Sequence, residues 1–429
     1  MHRKKSRFAY IAAHVAAVYF ACWAFPSLAS TSTLAQISVE YFSEPTTDGK
    51  AKLEGSITLP NPYSVAKLTP VIIVGGSYAT SDGDVFVSEA DPLWNTKFWF
   101  KDLGDKLAAK GLAVIRFNNR GMHSSLDCAR IAGKSVNAAE YAANSGCYDA
   151  AEAGTTTYAT QEADIAEVNA MVEKDSRLDA SKTIFIVHSE GAFHVSKVLS
   201  DHAIRPAGIV FIGAPMDSPA QTTRWQEVER QAEWIGKSIA RNGGYFSNDA
   251  INQSFRKDLD GDFYSSAPLM SDEGGWTKKN LPKLLVQLND LAARDVKTIM
   301  ATQPEAPITS PIGDSSSTAT IVLAKNLHWH STMTDSFRPI DAVKAYDGDL
   351  RFVYGEDDVS IPAEHAIELI RNAKMSACSI KIIRPKNADH GLRNADKQLD
   401  PKAESAVIAE VVQMSSSDRA HLRKCGGPA

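Results

Sequence analysis

The sequence predicts an α/β protein with a mostly parallel central sheet and helices on both faces. Apolar runs of strand length alternate with amphipathic stretches of helix length along most of the chain, as in strand–helix–strand units. Several runs are continuous in Val and Ile, which is typical of strands buried on both faces. The alternation stops between Gly208 and Leu350 and then resumes. Together these observations indicate one sheet interrupted by an inserted region.

Each expected strand is a short apolar run bounded by turn-forming residues. In chain order, the runs are AKLEGSITLP from Ala51, VIIVGG from Val71, LAVIRFNN from Leu112, TIFIVH from Thr183, GIVFIGAP from Gly208, LRFVYG from Leu350 and SIKIIRP from Ser379. Helices are expected between them. Phe100, Leu103 and Leu107 recur at helical spacing before Gly111, and Thr160 is expected to cap the next helix.

The inserted region spans about 130 residues, far more than a single crossover between neighbouring strands needs. Helical spacing is found from Thr222 to Ile239 and from Leu281 to Leu291, whereas the Pro- and Ser-rich stretch from Pro304 to Thr318 is expected to be a loop. We therefore expect two core parts, residues 36–216 and 346–429, with a helical cap at 217–345 between them.

The first 35 residues have the pattern of a secretory signal peptide. A basic start is followed by the apolar run Ala9–Phe25 and then by small residues, and cleavage after Ala29 or after Ala35 fits equally well. A retained membrane anchor is the alternative. The run is short, is interrupted by His14 and lacks charged stop residues. We expect a secreted or periplasmic protein with no stable membrane insertion after cleavage.

Cleavage would leave four cysteines, Cys128, Cys147, Cys378 and Cys425, in an oxidising compartment. Pairing by proximity predicts the disulfides 128–147 and 378–425. Four cysteines permit three connectivities, and free or buried thiols are the alternative. No CxxC spacing is present, so no structural zinc site is expected.

Composition excludes some classes of partner. The chain has 429 residues, of which 44% are hydrophobic and 23% charged, with a formal net charge of −5. A disordered or collagen-like chain would have a different composition. Without a basic run or patch, the sequence predicts neither nucleic acid nor an anionic membrane as a partner.

A serine follows the buried strand IFIVH, at the start of an expected helix. In IFIVHSEGAFHV, Ser189 occupies the tight strand-to-helix turn where a nucleophilic serine is exposed in G-x-S-x-G motifs. Gly191 matches the second glycine of that motif, but Val187 replaces the first. Taken alone, this signal is weak, since an ordinary turn serine would look the same.

An acid and a histidine follow Ser189 in the chain, each after a later strand. GEDDVSIP follows LRFVYG and contains Asp357 and Asp358, and KNADHGLRN follows SIKIIRP and contains His390. The carboxyl ends of parallel strands meet at one sheet edge. A serine hydroxyl needs a base, and the base needs a carboxylate that orients it. Ser189, His390 and one of the aspartates meet this requirement.

These motifs resemble those of α/β-hydrolases, specifically the secreted dienelactone-hydrolase-like and acyl-peptidase-like esterases. The similar segments are GGSYATSDGD from Gly75, RFNNRGMHSS from Arg116, VHSEGA from Val187, GEDDVSIP from Gly355 and ADHG from Ala388. The resemblance implies Ser189 as nucleophile, His390 as base and Asp358 as acid, with Asp357 as the second choice for the acid. It implies an oxyanion hole from the backbone N–H groups of Glu190 and Ser77.

Three positions depart from the family pattern. Gly75 stands where a histidine is usual, Val187 where the motif has glycine, and Asn118 where an aspartate is usual. Each is a supporting residue and none belongs to the triad. A non-catalytic ligand-binding protein on the same scaffold is therefore the alternative from another class.

Other candidate residues are expected to have structural roles. His188, His123, His328 and His330 are expected to pack or to form hydrogen bonds, with contact to the substrate as the alternative for the last three. The sequence DLDGDF from Asp258 is expected to be a solvated acidic turn.

The expected activity is hydrolysis of a carboxylic ester or thioester through an acyl-enzyme, without a metal or organic cofactor. Hydrolysis of peptide or acyl-peptide bonds by the same triad is the first alternative. The substrate would be a small acyl ester or a peptide. Its identity depends on the insertion, where no motif is found.

Overall fold

Eight strands form the central sheet of the computed structural model. We number them β1 to β8: Gln36–Pro45, Lys52–Asn61, Pro70–Val74, Ala113–Phe117, Ile184–His188, Gly208–Ile212, Asp349–Val353 and Ser379–Ile383. Their order across the sheet is β1-β2-β4-β3-β5-β6-β7-β8. β2 pairs antiparallel with β1 and with β4, and every other neighbouring pair is parallel. The predicted fold class is confirmed.

The structure describes residues 36–62, 66–76, 79–80, 86–87, 100–124, 128, 146–258, 267–301, 307–311, 320–325, 327–396 and 398–416. The predicted signal peptide, Ser77, Cys425 and most of the acidic turn after Asp258 lie outside these residues.

Every predicted strand is found, and the structure adds β1, which we did not predict. β1 is an edge strand that pairs only with β2 in the described part of the chain, and Val39 and Tyr41 on it are exposed. An edge strand needs no continuous apolar run, because much of its surface faces solvent. The buried strand β3, by contrast, is the apolar run PVIIV.

Helices flank the sheet and fill the insertion. We number them α1 to α12: Phe100–Ala108, Ala150–Ala153, Tyr158–Lys174, Gly191–Ser200, Pro219–Arg224, Arg230–Arg241, Asn248–Asp258, Leu281–Ala301, Leu327–Thr334, Pro339–Val343, Ala363–Asn372 and Pro401–Ser415. Single turns of 3-10 helix lie at Ala180–Lys182 and Ala267–Leu269.

The residue that caps the N-terminus of α3 differs from the predicted one. Thr157 is the N-cap, and its side chain and that of Thr160 bond reciprocally to each other's backbone N–H. Both residues are threonines that precede the apolar face, so the sequence pattern does not distinguish the cap from the third helical position. The prediction that Thr160 itself is the cap was wrong by one helical turn.

Side chains of the sheet alternate between two apolar cores, one on each face. On β3, Ile72 and Val74 point into the core that contains α3, α4 and α11, whereas Val71 and Ile73 point into the core that contains α1 and α12. This arrangement explains the continuous apolar runs, because both faces of the central strands are covered by helices.

The segment between β6 and β7 has an apolar core of its own. Trp234, Phe246, Phe255 and Trp276 are buried there among side chains of α6, α7 and α8. The first predicted helix of this segment is longer than predicted: α5 and α6 are joined by a π-helical turn at Trp225–Glu229. The described part of the segment is mostly helical, and the cap boundaries stay predictions.

Short strands also occur outside the central sheet. Tyr245–Ser247 pairs with Gly275–Thr277, and Pro307–Pro311 pairs with Thr320–Lys325. A third pair is Ala79–Thr80 with Phe86–Val87. The predicted loop from Pro304 to Thr318 was therefore wrong for 307–311, where the backbone forms a strand despite a proline at each end. Prolines are tolerated at strand ends and edges, where ladder donors are not needed.

One of the two predicted disulfides is confirmed. Cys128 and Cys147 are bonded, with their Cα atoms 5.6 Å apart. Cys378 also takes part in a disulfide. Because Cys425 lies outside the described residues, the pairing 378–425 stays a prediction.

No helix among the described residues combines the length and the apolar character needed to span a membrane.

Candidate active site

Ser189 lies on a sharp turn between β5 and α4. All five residues of β5 are buried, and α4 begins at Gly191, so the turn is confined to Ser189 and Glu190. Ser189 has a φ of +52°, a conformation that non-glycine residues rarely adopt. Its N–H donates to the carbonyl oxygen of Ile212 on β6 at 2.9 Å. Such a strained turn is what projects a nucleophilic side chain above a sheet.

Parallel register brings two further loops to the same edge. Val353, the last residue of β7, pairs with Ile212 on β6 and with Ile383 on β8. The loops after β7 and β8 therefore leave the sheet beside Ser189, and they carry Asp358 and His390.

Ser189, His390 and Asp358 form a continuous line of contacts. His390 Nε2 lies 2.8 Å from Ser189 Oγ, and His390 Nδ1 lies 3.0 Å from Asp358 Oδ2. The other carboxylate oxygen of Asp358 accepts hydrogen bonds from the N–H groups of Ser360 at 2.9 Å and Ile361 at 3.3 Å. The Asp358 side chain is fully buried, whereas that of His390 is partly exposed. This geometry allows the imidazole to accept the hydroxyl proton while the carboxylate fixes its tautomer.

The structure distinguishes the two candidate acids. Asp357 is exposed, and its backbone N–H donates to the carbonyl oxygen of Ala388 at 2.9 Å. Asp358, one residue later, is the aspartate that contacts His390.

Of the two expected oxyanion donors, one is described. Glu190 directly follows Ser189 and has helical backbone angles at the start of α4. Ser77 lies outside the described residues. Gly76, just before it, packs against the turn: a Cβ atom built on Gly76 would lie 2.9 Å from Cβ of Ser189. The loop after β3 therefore reaches the side of Ser189 where a second donor is expected.

The structure shows the surroundings of the three residues that depart from the family pattern. The side chain of Val187 is completely buried in the apolar core on the α3 side of the sheet. Asn118 is also buried, and its side-chain amide donates to the carbonyl oxygen of Met122 at 2.8 Å and to Ser124 Oγ at 3.0 Å. The backbone of Gly75 lies against Gly191, where a Cβ atom would stand 2.4 Å from the carbonyl oxygen of Gly75. None of the three contacts the Ser189 hydroxyl in the described structure.

His188 is buried beside His390 and contacts it. It is buried, its Nε2 lies 3.3 Å from the carbonyl oxygen of His390, and its ring lies 4.8 Å from the His390 ring between centroids. On its other side it packs edge-on against Phe100. Burial, and to a lesser degree the charge of His390, lowers the pKa of His188 well below its usual value. His188 is therefore neutral and packs against the His390 ring.

The side chain of Glu190 forms a contact that we did not predict from the sequence. Its Oε1 lies 3.1 Å from Nε2 of His328 on α9 and 3.4 Å from Nε2 of His194 on α4. Burial acts to raise the pKa of Glu190, but His328 and His194 outweigh it and hold that pKa below the usual value. The spacing of Glu190 and His194, one helical turn apart, was the available sequence signal.

The insertion also contacts the loop that carries Asp358. Gln226 donates from Nε2 to the carbonyl oxygen of Ser360 at 2.6 Å, and Arg230 donates from Nη1 to that of Val359 at 2.7 Å. Both acceptors closely follow Asp358 in the chain. The insertion thus holds the Asp358 loop on one side of the site and Glu190 on the other.

A second group of side chains, apart from Ser189 and its partners, consists of residue types that can bind a metal ion. One ligand atom each of His123, Asp149 and Glu152 lies within 4.8 Å of the others. His123 Nδ1 lies 3.3 Å from Glu54, and Asp149 caps α2 by accepting hydrogen bonds from backbone N–H groups. These contacts give both residues structural roles, as expected for His123, and the group does not include Ser189 or its partners.

Comparison with protein-family models gives no match, and no curated protein matches the sequence. Several solved structures are similar in shape. Est1E from Butyrivibrio proteoclasticus is 13% identical, with a TM-score of 0.41 over 87% of this chain and 96% of the other. Brefeldin A esterase, a bacterial homologue of human hormone sensitive lipase, is 10% identical, with a TM-score of 0.44 over 93% and 81% of the two chains. GrgF from Penicillium sp. sh18, an α/β hydrolase, is 11% identical, with a TM-score of 0.44 over 90% and 99%.

The class of the protein follows from its own strand order and turn geometry. A mostly parallel sheet with an antiparallel second strand, and a strained serine turn after β5, define the α/β-hydrolase fold. At the level of the fold, the resemblance to α/β-hydrolases noted in the sequence is confirmed. The narrower likeness to dienelactone-hydrolase-like and acyl-peptidase-like esterases stays a prediction.

Proposed function

We propose that the protein is a serine hydrolase that cleaves a carboxylic ester or thioester. The observation that carries the proposal is the line of contacts from Ser189 Oγ through the His390 imidazole to the Asp358 carboxylate. A ligand-binding protein would need no such alignment of nucleophile, base and acid. The fold alone would not decide between these functions.

The proposed reaction has two halves. In the first, His390 Nε2 takes the proton of Ser189 Oγ as the oxygen attacks the substrate carbonyl carbon, and the imidazolium then protonates the departing alcohol or thiol. In the second, His390 takes a proton from water, the resulting hydroxide attacks the acyl-enzyme, and the acid leaves as Ser189 regains its proton. The Asp358 carboxylate orients His390 and stabilises the imidazolium in both halves of the reaction.

Negative charge develops on the carbonyl oxygen in each half. We assign its stabilisation to the backbone N–H of Glu190 and, by position after β3, to that of Ser77. These residues require no metal or organic cofactor for the reaction. The same machinery would serve for peptide or acyl-peptide bonds, so the bond type must be tested with substrates.

We propose that the protein acts outside the cytoplasm, as a secreted or periplasmic enzyme. The signal-peptide pattern of residues 1–35 supports this location. The disulfide between Cys128 and Cys147 supports it as well, because such bonds persist mainly in oxidising compartments.

The first experiment is labelling of the chain that begins at Gln36 with a fluorophosphonate probe, read by intact mass. We expect one added phosphonyl group on the wild type and none on Ser189→Ala. Nitrophenyl esters of short and medium acyl chains, a thioester and acyl-peptide anilides then identify the bond. Folded wild-type protein that takes up no label would refute the proposal in favour of a ligand-binding protein.

A further inference from the structure

Glu190 places a buried carboxylate beside the proposed reaction centre. Its side chain is about one-tenth exposed, and its own backbone N–H is the proposed oxyanion donor. A negative charge there would repel the oxyanion that forms in the transition state, and the repulsion is strong where water is excluded. The site therefore needs a positive charge close to Glu190.

Two imidazoles lie within reach of that carboxylate. His194 is the more distant, at 3.4 Å, and only 4% of its side chain is exposed. It also packs edge-on against the Tyr158 ring, with 4.6 Å between centroids. His328 is closer, at 3.1 Å, and 17% of its side chain is exposed. A charge costs less at a position that is less buried, so we take His328, the nearer and more exposed of the two, as the partner of the carboxylate.

Tyr158 also belongs to the group of side chains around the Glu190 carboxylate, and it adds no charge. Its hydroxyl lies 3.0 Å from Oγ1 of Thr332, which in turn donates to the carbonyl oxygen of His328. Burial raises the pKa of Tyr158 well above its usual value, so the phenol stays neutral. Through these contacts α3, α4 and α9 meet around a single carboxylate.

We propose that His328, contributed by the insertion, is a positioning residue whose positive charge balances the Glu190 carboxylate next to the nucleophile. This inference rests on the proposed function. It makes α9 part of the active site, because loss of the His328 charge would leave an uncompensated anion beside the oxyanion. The proposed role depends on the charge of His328, because a neutral hydrogen-bonding residue could supply the contact alone.

The test compares His328→Gln with the double variant Glu190→Gln/His328→Gln. Glutamine can still donate a hydrogen bond to Glu190, so the first change removes mainly the charge. We expect His328→Gln to slow fluorophosphonate labelling about tenfold, and the double variant to recover most of that loss, since it removes the unbalanced carboxylate too. His330→Gln, on the same helix, is the control and should label at the wild-type rate.

A second measurement does not depend on catalysis. A buried charge without its partner destabilises the folded state, so His328→Gln should unfold at lower urea concentration than the double variant. If the wild type takes up no label, the proposed function fails and this comparison alone decides about the charge pair. Equal labelling of wild type and His328→Gln, or a double variant as impaired as the single one in both measurements, would overturn the inference.

Discussion

Gly191 lies so close to the backbone of Gly75 that no side chain fits at position 191. A Cβ atom built on Gly191 would lie 2.4 Å from the carbonyl oxygen of Gly75. Gly191 begins the helix after Ser189, and Gly75 begins the loop after β3. This contact sets the separation between the two segments that are proposed to form the oxyanion hole.

Gly191→Ala should therefore damage both stability and reactivity. The obstructing atom belongs to the backbone and cannot move aside cheaply, so we expect a loss of about 1–3 kcal/mol in the free energy of unfolding. Labelling of Ser189 should slow at least tenfold as the loop shifts. Urea unfolding and fluorophosphonate labelling measure the two effects.

Gly236→Ala is the matched control for this substitution. Gly236 lies within α6, and its Cβ would meet only Cδ2 of Leu281 at an ordinary 3.5 Å. Alanine is favoured over glycine in a helix, so this variant should gain about 0.5–1 kcal/mol. If both variants behave alike, the close approach of Gly191 to Gly75 has no functional consequence.

Asp358→Asn should abolish most of the reactivity of Ser189. The asparagine amide would disfavour the imidazole tautomer that accepts the serine proton, and loss of the charge would destabilise the imidazolium. In the serine proteases such a change costs about 10⁴-fold, and we expect about 10³- to 10⁴-fold slower labelling here. Asp357→Asn, the exposed neighbour, should stay within about twofold of the wild type. The reverse result would make Asp357 the acid.

How far the sequence predicts this site depends on how local the determining contacts are. Continuous Val and Ile identified the central strands, and the chain order of Ser189, Asp358 and His390 placed them at one sheet edge, because parallel strands end there together. The strand β1 was missed because its exposed edge position leaves no strong apolar pattern.

Contacts between distant segments were beyond the sequence. The contact of Glu190 with His328 depends on how the insertion packs on the core, and neither residue belongs to a motif that specifies the other. The same is true of Gln226 and Arg230, which bond to carbonyl oxygens of the Asp358 loop. Backbone acceptors have no sequence signature, so only the folded structure reveals these bonds.

Replacement of Arg120, in the loop after β4, tests how much a buried ion pair contributes to stability. Its Nε and Nη2 each lie 2.8 Å from an oxygen of Asp164, and its side chain is 2% exposed. Arg120→Met would leave Asp164 buried without its main partner, which typically costs about 3–5 kcal/mol. Urea unfolding measures the loss, and Asp164→Asn in the same background should restore part of it.

Arg177→Met is the surface counterpart of this change. Arg177 also contacts two carboxylates, those of Asp175 and Glu40, but its side chain is 28% exposed. Solvent weakens such pairs, so the loss should be about 1 kcal/mol or less. Equal losses for Arg120→Met and Arg177→Met would show that burial of the Arg120 pair contributes nothing extra.

Glu227 in the insertion should make stability depend on pH. Burial, together with the charge of Asp295, raises the pKa of Glu227 to about 7 from its usual 4.5. Between these two values the folded protein holds a proton that the unfolded chain has released. The free energy of unfolding therefore falls as pH rises through this window, and the contribution of the protonated carboxyl is fully present only below about pH 4.5.

Glu227→Gln removes this titration and should flatten the pH dependence. A difference of one in pKa between the folded and the unfolded protein corresponds to about 1.4 kcal/mol of stability. After allowance for solvent, we expect Glu227→Gln to gain about 2 kcal/mol over the wild type between about pH 5 and pH 8. Urea unfolding at several pH values tests the prediction.

Glu233→Gln on α6 is the control for this titration. The Glu233 carboxylate is exposed and paired with Lys237. Surface pairs of this kind contribute little to stability, so the variant should follow the wild-type curve. Parallel curves for the wild type and Glu227→Gln would mean that Glu227 ionises in the folded protein as it does in the unfolded chain. In that case the burial of its carboxyl beside Asp295 would have no consequence for stability.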